Sequence, residues 1–144
     1  TKSAIEAKHR VAMVKLAVED NPNFGVELAE INRGGKSYSY DTLIALKRAH
    51  PENQYYFIIC ADMVAYLPKW YRIADLAKMV QFVGVKRPGV KVHSAYPILW
   101  VDTPTIDLSS TLIRHKIAKR HSIRYLVPQQ VCEYIREHKL YGKK

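Results

Sequence analysis

The sequence predicts an α/β fold built on a mostly parallel sheet, and three observations lead there. Tyr55 to Cys60 is an apolar run with neither charge nor polar alternation, the pattern of a strand buried on both faces. Phe82-Val83-Gly84-Val85 and Ile98-Leu99-Trp100-Val101 repeat it, and the three runs deliver Asp62, Lys86-Arg87 and Asp102 at their carboxyl ends. Between them lie stretches with apolar residues at helical spacing, so strands alternate with helices. Right-handed crossovers would gather the charged strand ends at one edge, where open α/β sheets bind ligands.

Taken in order, Ser3-Ala4-Ile5-Glu6 has the form of a capping box. Ala4, Ala7, Val11, Val14 and Val18 then trace one face of a helix that stops by Asn21-Pro22. Phe24, Val26 and Leu28 alternate with Gly25, Glu27 and Ala29, which predicts a strand. Asn32-Arg33-Gly34-Gly35-Lys36 is a loop with two glycines. A second helix is expected from Ser39 through Leu43, Ile44 and Leu46 to His50-Pro51. Ser39 would cap it, and a hydroxyl at a helix start can also hold an anion.

Past Tyr55–Cys60, Asp62 follows the strand end directly, and Pro68 breaks the chain before Trp70 and Tyr71, with Lys69 alongside. These residues have two readings: a ligand site at the sheet edge, or core aromatics and a helix cap. Ile73, Leu76, Ala77 and Val80 mark a short third helix. Lys86 and Arg87 are either site cations or solvated surface charges. Asp107-Leu108-Ser109-Ser110-Thr111-Leu112-Ile113-Arg114 sets three hydroxyl residues at a helix start, where backbone N–H groups are unpaired and the dipole favours anions. Arg114, one turn on, can lean back over the same opening, good chemistry for polyphosphate; the alternative is a plain serine cap with an unrelated arginine. Tyr125-Leu126-Val127-Pro128 starts a last helix carrying Val131, Tyr134 and Ile135, before Lys143-Lys144.

A length of 144 residues fits one domain, 1–144, with a real core. Lys and Arg number 23 against 13 Asp and Glu, a formal charge of +10 that suits phosphate-bearing partners and says nothing of fold. Cys60, expected in a buried strand, and Cys132, expected in a helix, have no framework spacing. With no signal peptide and no apolar run long enough to span a membrane, a reduced cytoplasmic compartment is expected.

The order of the segments carries the reading further. Ser37-Tyr38-Ser39-Tyr40-Asp41-Thr42, Ile59-Cys60-Ala61-Asp62-Met63, Leu67-Pro68-Lys69-Trp70-Tyr71, Gly84-Val85-Lys86-Arg87-Pro88-Gly89, Ser109-Ser110-Thr111-Leu112-Ile113-Arg114 and Tyr125-Leu126-Val127-Pro128 follow one another closely. In that order, from about His9 onward, the chain resembles the bacterial nicotinate-nucleotide adenylyltransferases. The Ser-Ser-Thr-x-x-Arg element is shared by many nucleotidyltransferases; Pro-Lys-Trp-Tyr together with Ser-Tyr-Ser-Tyr-Asp-Thr is more telling.

The resemblance implies a Rossmann-like nucleotidyltransferase fold and an enzyme of NAD biosynthesis. Its reaction joins nicotinate mononucleotide and ATP into deamido-NAD and pyrophosphate, with Mg²⁺ on the polyphosphate. By motif, Ser39, Trp70 and Tyr71 would hold the nicotinate ring and its carboxylate, and Arg87 would lie near the mononucleotide. Asp62 would bind ribose hydroxyls, and Ser109, Ser110 and Arg114 would sit on the ATP phosphates, with Arg114 catalytic. No protein metal site, nucleic acid or membrane partner is implied, and a homodimer is left open.

Two departures stand out. The family's His-x-Gly-His spacing is met by none of His9, His50, His93, His115, His121 and His138. The chain is therefore expected to lack the family's N-terminal βαβ part, with its glycine loop, and to be inactive alone. Cys60 stands where the family has glycine, so a thiol is expected to crowd the adenosine of ATP. Alternatives are transfer to another phosphate acceptor, such as a pantetheine phosphate, and a non-enzymatic basic RNA-binding module. The cations are scattered and no recognition motif accompanies them.

Overall fold

The computed structural model describes residues 5–85, 93–104 and 106–142. In chain order the elements are α1 (Ala7–Val18), α2 (Ala29–Arg33), α3 (Ser39–Ala49), β1 (Tyr55–Cys60), α4 (Ala61–Val64), a 3₁₀ turn (Leu67–Lys69), α5 (Ile73–Met79), β2 (Val80–Val85), β3 (Ile98–Val101), α6 (Ser110–Ala118) and α7 (Gln129–Glu137). They fall into two compact units. One is Ala29–Ile106; the other joins Thr1–Leu28 to Asp107–Lys144.

The first unit holds the sheet. β1, β2 and β3 pair in that order and all run parallel. Cys60 is level with Val85, and Val85 with Val101, so Asp62 and Asp102 leave from one edge, as expected. Lys86 and Arg87, at the end of β2, lie outside the described residues. The core gathers Leu43, Ile59, Val64, Leu67, Ile73, Leu76, Val80 and Phe82. Phe82, Leu67, Leu76 and Val64 are fully buried, each contributing about 1.5–3 kcal/mol.

β1 has its expected bounds but not its expected burial. Ile59 is buried and Tyr55 and Phe57 pack on the core, whereas Ile58 is 69% exposed and Tyr56 and Cys60 are exposed as well. Side chains alternate across a strand, and the unit's core lies on the Phe57–Ile59 face alone. An unbroken apolar run says that a strand is buried, not how many of its faces are. Val80, expected at the end of α5, instead opens β2 in extended geometry at φ −133° and ψ 153°.

α3 begins where expected, with one change. Tyr38, extended at φ −107° and ψ 137°, occupies the cap position without a side-chain bond, and Ser39 is the first helical residue. Thr42 fixes this helix to α2: its hydroxyl donates to Glu30 Oε1 at 2.7 Å and accepts from Arg33 Nη2 at 3.0 Å. At the other end the Tyr55 hydroxyl donates at 3.1 Å to the Leu46 carbonyl, which also accepts from His50 N–H at 2.9 Å. α2 stops at Gly34 and Gly35, both left-handed at φ 67° and 68°, with Gly34 N–H donating to the Glu30 carbonyl.

The second unit is helical. Ile113, Ile123, Val131 and Ile135 form its core, with Met13, Leu16, Leu126 and Leu140 packed on it. Two expectations change here. The predicted stripe of α1 included Val14, which is 48% exposed; the longer side chains of Met13 and Leu16 reach the core instead. Ser3 lies outside the described residues, and Glu6 at the cap position makes no side-chain cap bond. Its carboxylate pairs with Lys8 at 2.7 Å, which holds the Glu6 carboxyl below its ordinary value and lifts that of Lys8. The predicted strand Phe24–Leu28 has no ladder among the described residues, and Phe24 is 61% exposed.

Candidate functional site

In the sheet unit, β1 runs straight into α4, with Cys60 at the cap position, extended and without a side-chain bond. Asp62 falls in the first turn of α4, where a carboxylate complements the helix dipole, and it is exposed rather than a cap. Leu67, fully buried, anchors the 3₁₀ turn, and Trp70 N–H closes that turn onto the Leu67 carbonyl at 2.9 Å. Trp70 is half-buried, its indole edge-on to Phe57 (centroids 5.5 Å, 68°) and Phe82 (6.4 Å, 82°). The core reading of Trp70 therefore holds for part of the ring, and the rest faces outward.

Tyr71 is exposed and meets two rings at the start of α3: the cap residue Tyr38 at 4.6 Å, tilted 36°, and Tyr40 at 6.1 Å, edge-on at 80°. These tyrosines flank Ser39, so the Ser39 and Trp70-Tyr71 segments join in one surface. The first backbone N–H groups of α3 open beside it, with Thr42 N–H already returning to the Tyr38 carbonyl. Two cations border the rings. Lys36 Nζ lies 4.8 Å from the Tyr38 centroid, and the Arg72 guanidinium lies 4.3 Å from that of Tyr40. Arg72 also grips Asp75 through Nε at 2.8 Å and Nη2 at 2.7 Å, a bond that raises its already high pKa. Flat rings, a helix N-terminus, hydroxyls and cations together suit an aromatic ring bearing an anionic group.

In the helical unit, Ser109 is extended at φ −137° and ψ 152° and its Oγ accepts from Leu112 N–H at 3.2 Å, a true cap. The bond uses an acceptor lone pair and leaves the hydroxyl hydrogen for another partner. Arg114 does lean back: Nη2 donates to Thr111 Oγ1 at 3.3 Å. A groove of about 340 Å³ is lined by Ser109, Ser110 and Arg114 together with Leu126, Val127 and Tyr141. Fixed donors, a planar cation and an apolar wall suit a polyphosphate carrying a base.

Ser39 thus lies between two tyrosines that touch Tyr71, the residue after Trp70, in the sheet unit, which also holds Cys60 and Asp62; Ser109, Ser110 and Arg114 share the groove of the helical unit. Arg87 lies outside the described residues. Sequence reasoning missed Tyr38 and Tyr40 as partners of Tyr71, Arg72 as the cation on Tyr40, and Thr42 as the tie to α2. No periodicity announces contacts between segments so far apart; the one available signal was the density of tyrosine around Ser39. Among the described residues no group of three or more His, Cys, Asp or Glu side chains is placed to hold a metal ion. Among the same residues no helix is long and apolar enough to cross a membrane.

Comparison with known proteins adds the following. The cytidylyltransferase-like family matches residues 1–116. The probable nicotinate-nucleotide adenylyltransferase of Lactiplantibacillus plantarum is 56% identical over 97% of this chain and 66% of its own length. Proteins of the same name from Enterococcus faecalis and Lactococcus lactis subsp. lactis are 55% and 51% identical, over 97% and 99% of this chain and 64% and 73% of their own. The chain thus spans just under two thirds of the first two relatives. Among solved structures, Plasmodium falciparum nicotinic acid mononucleotide adenylyltransferase complexed with NaAD superposes with a TM-score of 0.75 at 20% identity, over 97% of this chain and 76% of that one. That likeness is one of fold: a parallel sheet with helices in nucleotidyltransferase order.

Proposed function

Since the chain belongs to the nicotinate-nucleotide adenylyltransferases of the cytidylyltransferase-like family, we propose that it takes part in adenylyl transfer from ATP to nicotinate mononucleotide. The products are deamido-NAD and pyrophosphate, a step of NAD biosynthesis. A phosphate oxygen of the mononucleotide attacks the α-phosphorus of ATP. The bond from that phosphorus to the β-bridging oxygen breaks, and its electron pair leaves with pyrophosphate. No covalent enzyme intermediate is needed, so the protein's task is alignment and charge neutralisation.

The observation that carries this reading is the packing of Tyr71 between Tyr38 and Tyr40. Two motifs assigned to one end of the substrate touch. In this reading the outward part of Trp70 stacks on the pyridine ring, while Ser39, Tyr71 and the open N–H groups of α3 take its carboxylate. Arg87 serves the mononucleotide, Asp62 the ribose hydroxyls of ATP, and Cys60 borders the adenosine. Ser109, Ser110 and Arg114 hold the triphosphate, with Arg114 following the charge as pyrophosphate leaves. Mg²⁺ enters as part of the nucleotide substrate, bound by phosphate oxygens, the usual habit of this ion. Both units act as one nucleotidyltransferase domain, a view supported by the family match running through residues of each. Unpaired Cys60 and Cys132 suit a cytoplasmic setting.

None of the six histidines has the His-x-Gly-His spacing, so binding rather than turnover is the measure for this chain. Titration with nicotinate mononucleotide is expected to quench tryptophan fluorescence in the wild type and in Trp100→Phe. Trp70→Phe should lose the signal, and Trp70→Ala should weaken binding by about 1–3 kcal/mol, as loss of a stacking ring does. Absence of saturable binding, or a signal that follows Trp100 instead, overturns the proposal.

A further inference from the structure

Among the described residues, Arg72, Arg120, Tyr125, Lys139 and Tyr141 are non-glycine residues with positive φ. Arg120 and Lys139 follow the caps of α6 and α7, where a left-handed residue is an ordinary stop, and Tyr141 lies in the turn after α7. Tyr125 lies in the turn enclosed by the Arg124–Val127 bridge. Arg72 alone precedes a helix. It holds the cap position of α5 at φ 51° and ψ 41° with no side-chain cap bond, whereas a cap residue is normally extended. The helix does not ask for this conformation, and an L side chain resists it. An outlier of this kind persists only where its surroundings hold it.

The Arg72 guanidinium grips Asp75 through two nitrogens and lies on the ring of Tyr40. The Arg72–Asp75 pair is half-exposed, so as an ion pair it is worth little. Its effect is geometric. Asp75 belongs to α5 and Tyr40 to α3, so one side chain ties both helices at the residue after Tyr71. We propose that Arg72 is a positioning residue for the pyridine end of the mononucleotide, clamping the Trp70-Tyr71 segment against the start of α3. This rests on the functional reading above and adds a residue that touches no substrate in it.

The test separates the side chain from the backbone. Arg72→Gly accepts the left-handed conformation without strain and removes the clamp, its freer backbone in the unfolded chain offsetting part of the strain relief. It should unfold at nearly the wild-type temperature yet bind nicotinate mononucleotide roughly tenfold more weakly, the scale of a modest misplacement of contact groups. ATP affinity, measured by calorimetry, should stay unchanged. Arg72→Lys keeps the charge without the planar fork and should recover part of the loss. Wild-type affinity in Arg72→Gly, or equal weakening of both ligands, overturns the clamp alone. If the wild type binds no nicotinate mononucleotide, the functional reading falls first and the clamp with it.

Discussion

Gly84 stands in β2 with no room beside it. A Cβ built there would lie 2.7 Å from Ile98 Cγ2 and from Trp100 Cε3 and Cζ3, well inside carbon–carbon contact distance. Trp100 is its register partner on β3, so the indole lies across the bare Cα. Gly84→Ala must push these side chains off their positions, and overpacking of this kind costs about 1–3 kcal/mol. The expected result is a lower urea midpoint with an unchanged slope. Adding Trp100→Leu should make the combined loss smaller than the sum of the single losses, because the indole's share of the clash is then relieved while that of Ile98 remains. An unshifted midpoint for Gly84→Ala would mean that the indole can move freely. The sequence marked Gly84 as a strand residue but could not say what it makes room for, since that depends on register across β2 and β3. Trp70 and Cys60 were opaque for the same reason. Whether a strand-end thiol is buried, or an indole shared between core and surface, depends on which face the helices cover.

At the scale of elements, what could be read was what local pattern determines. β1 and β3 have the predicted bounds because an uninterrupted apolar run leaves little doubt about where a strand begins and ends. Phe24–Leu28 has the alternation of a strand, but a strand exists only through a partner, and alternation cannot supply one. The stripe of α1 failed at Val14, while Ala7, Val11 and Val18 are half-buried: Val14 and Met13 differ by one position, and only the shape of the core chooses between them. The start of α6 was legible from its chemistry, and there one side chain carries two roles that experiment can part. Ser109→Ala should cost about 0.5–2 kcal/mol in stability by removing the cap to Leu112 N–H. Ser109→Asp keeps a good cap and suits the helix dipole, so thermal unfolding should be unmoved or raised. The same aspartate sets a negative charge where the proposal puts the triphosphate, so ATP affinity should fall at least about tenfold, on the scale of one charge contact. Unchanged ATP binding in Ser109→Asp would leave Ser109 as a cap and nothing more.

The whole molecule carries a formal charge of +10, which attracts any polyanion and by itself cannot tell a nucleotide enzyme from an RNA-binding module. Nor could the sequence show that the chain forms two compact units, one of them joining residues before Leu28 to residues after Asp107. The segment from Asp107 onward continues the alternation of elements without a break in composition, and only contacts reveal the grouping. Salt dependence discriminates where net charge does not. A nucleic acid held through many phosphates releases a counterion at each, so an interface of 6–10 phosphates loses about 10³–10⁵ in affinity between 50 and 200 mM salt. Nicotinate mononucleotide brings one phosphate and one carboxylate, and its affinity should fall by no more than about tenfold over that range. A single-stranded RNA oligomer, with its shallower slope per phosphate, should still lose about 10²–10⁴ and end near the non-specific level, with dissociation constants of about 10⁻⁴–10⁻⁶ M at physiological salt. The cations are scattered along the sequence rather than lined up as a track, which is why no more than non-specific binding is expected. Steeply salt-dependent RNA binding far tighter than the non-specific range, beside no saturable binding of the mononucleotide, would reverse the assignment: the basic surface would be the functional one, and the rings around Ser39 merely part of the packing of α3.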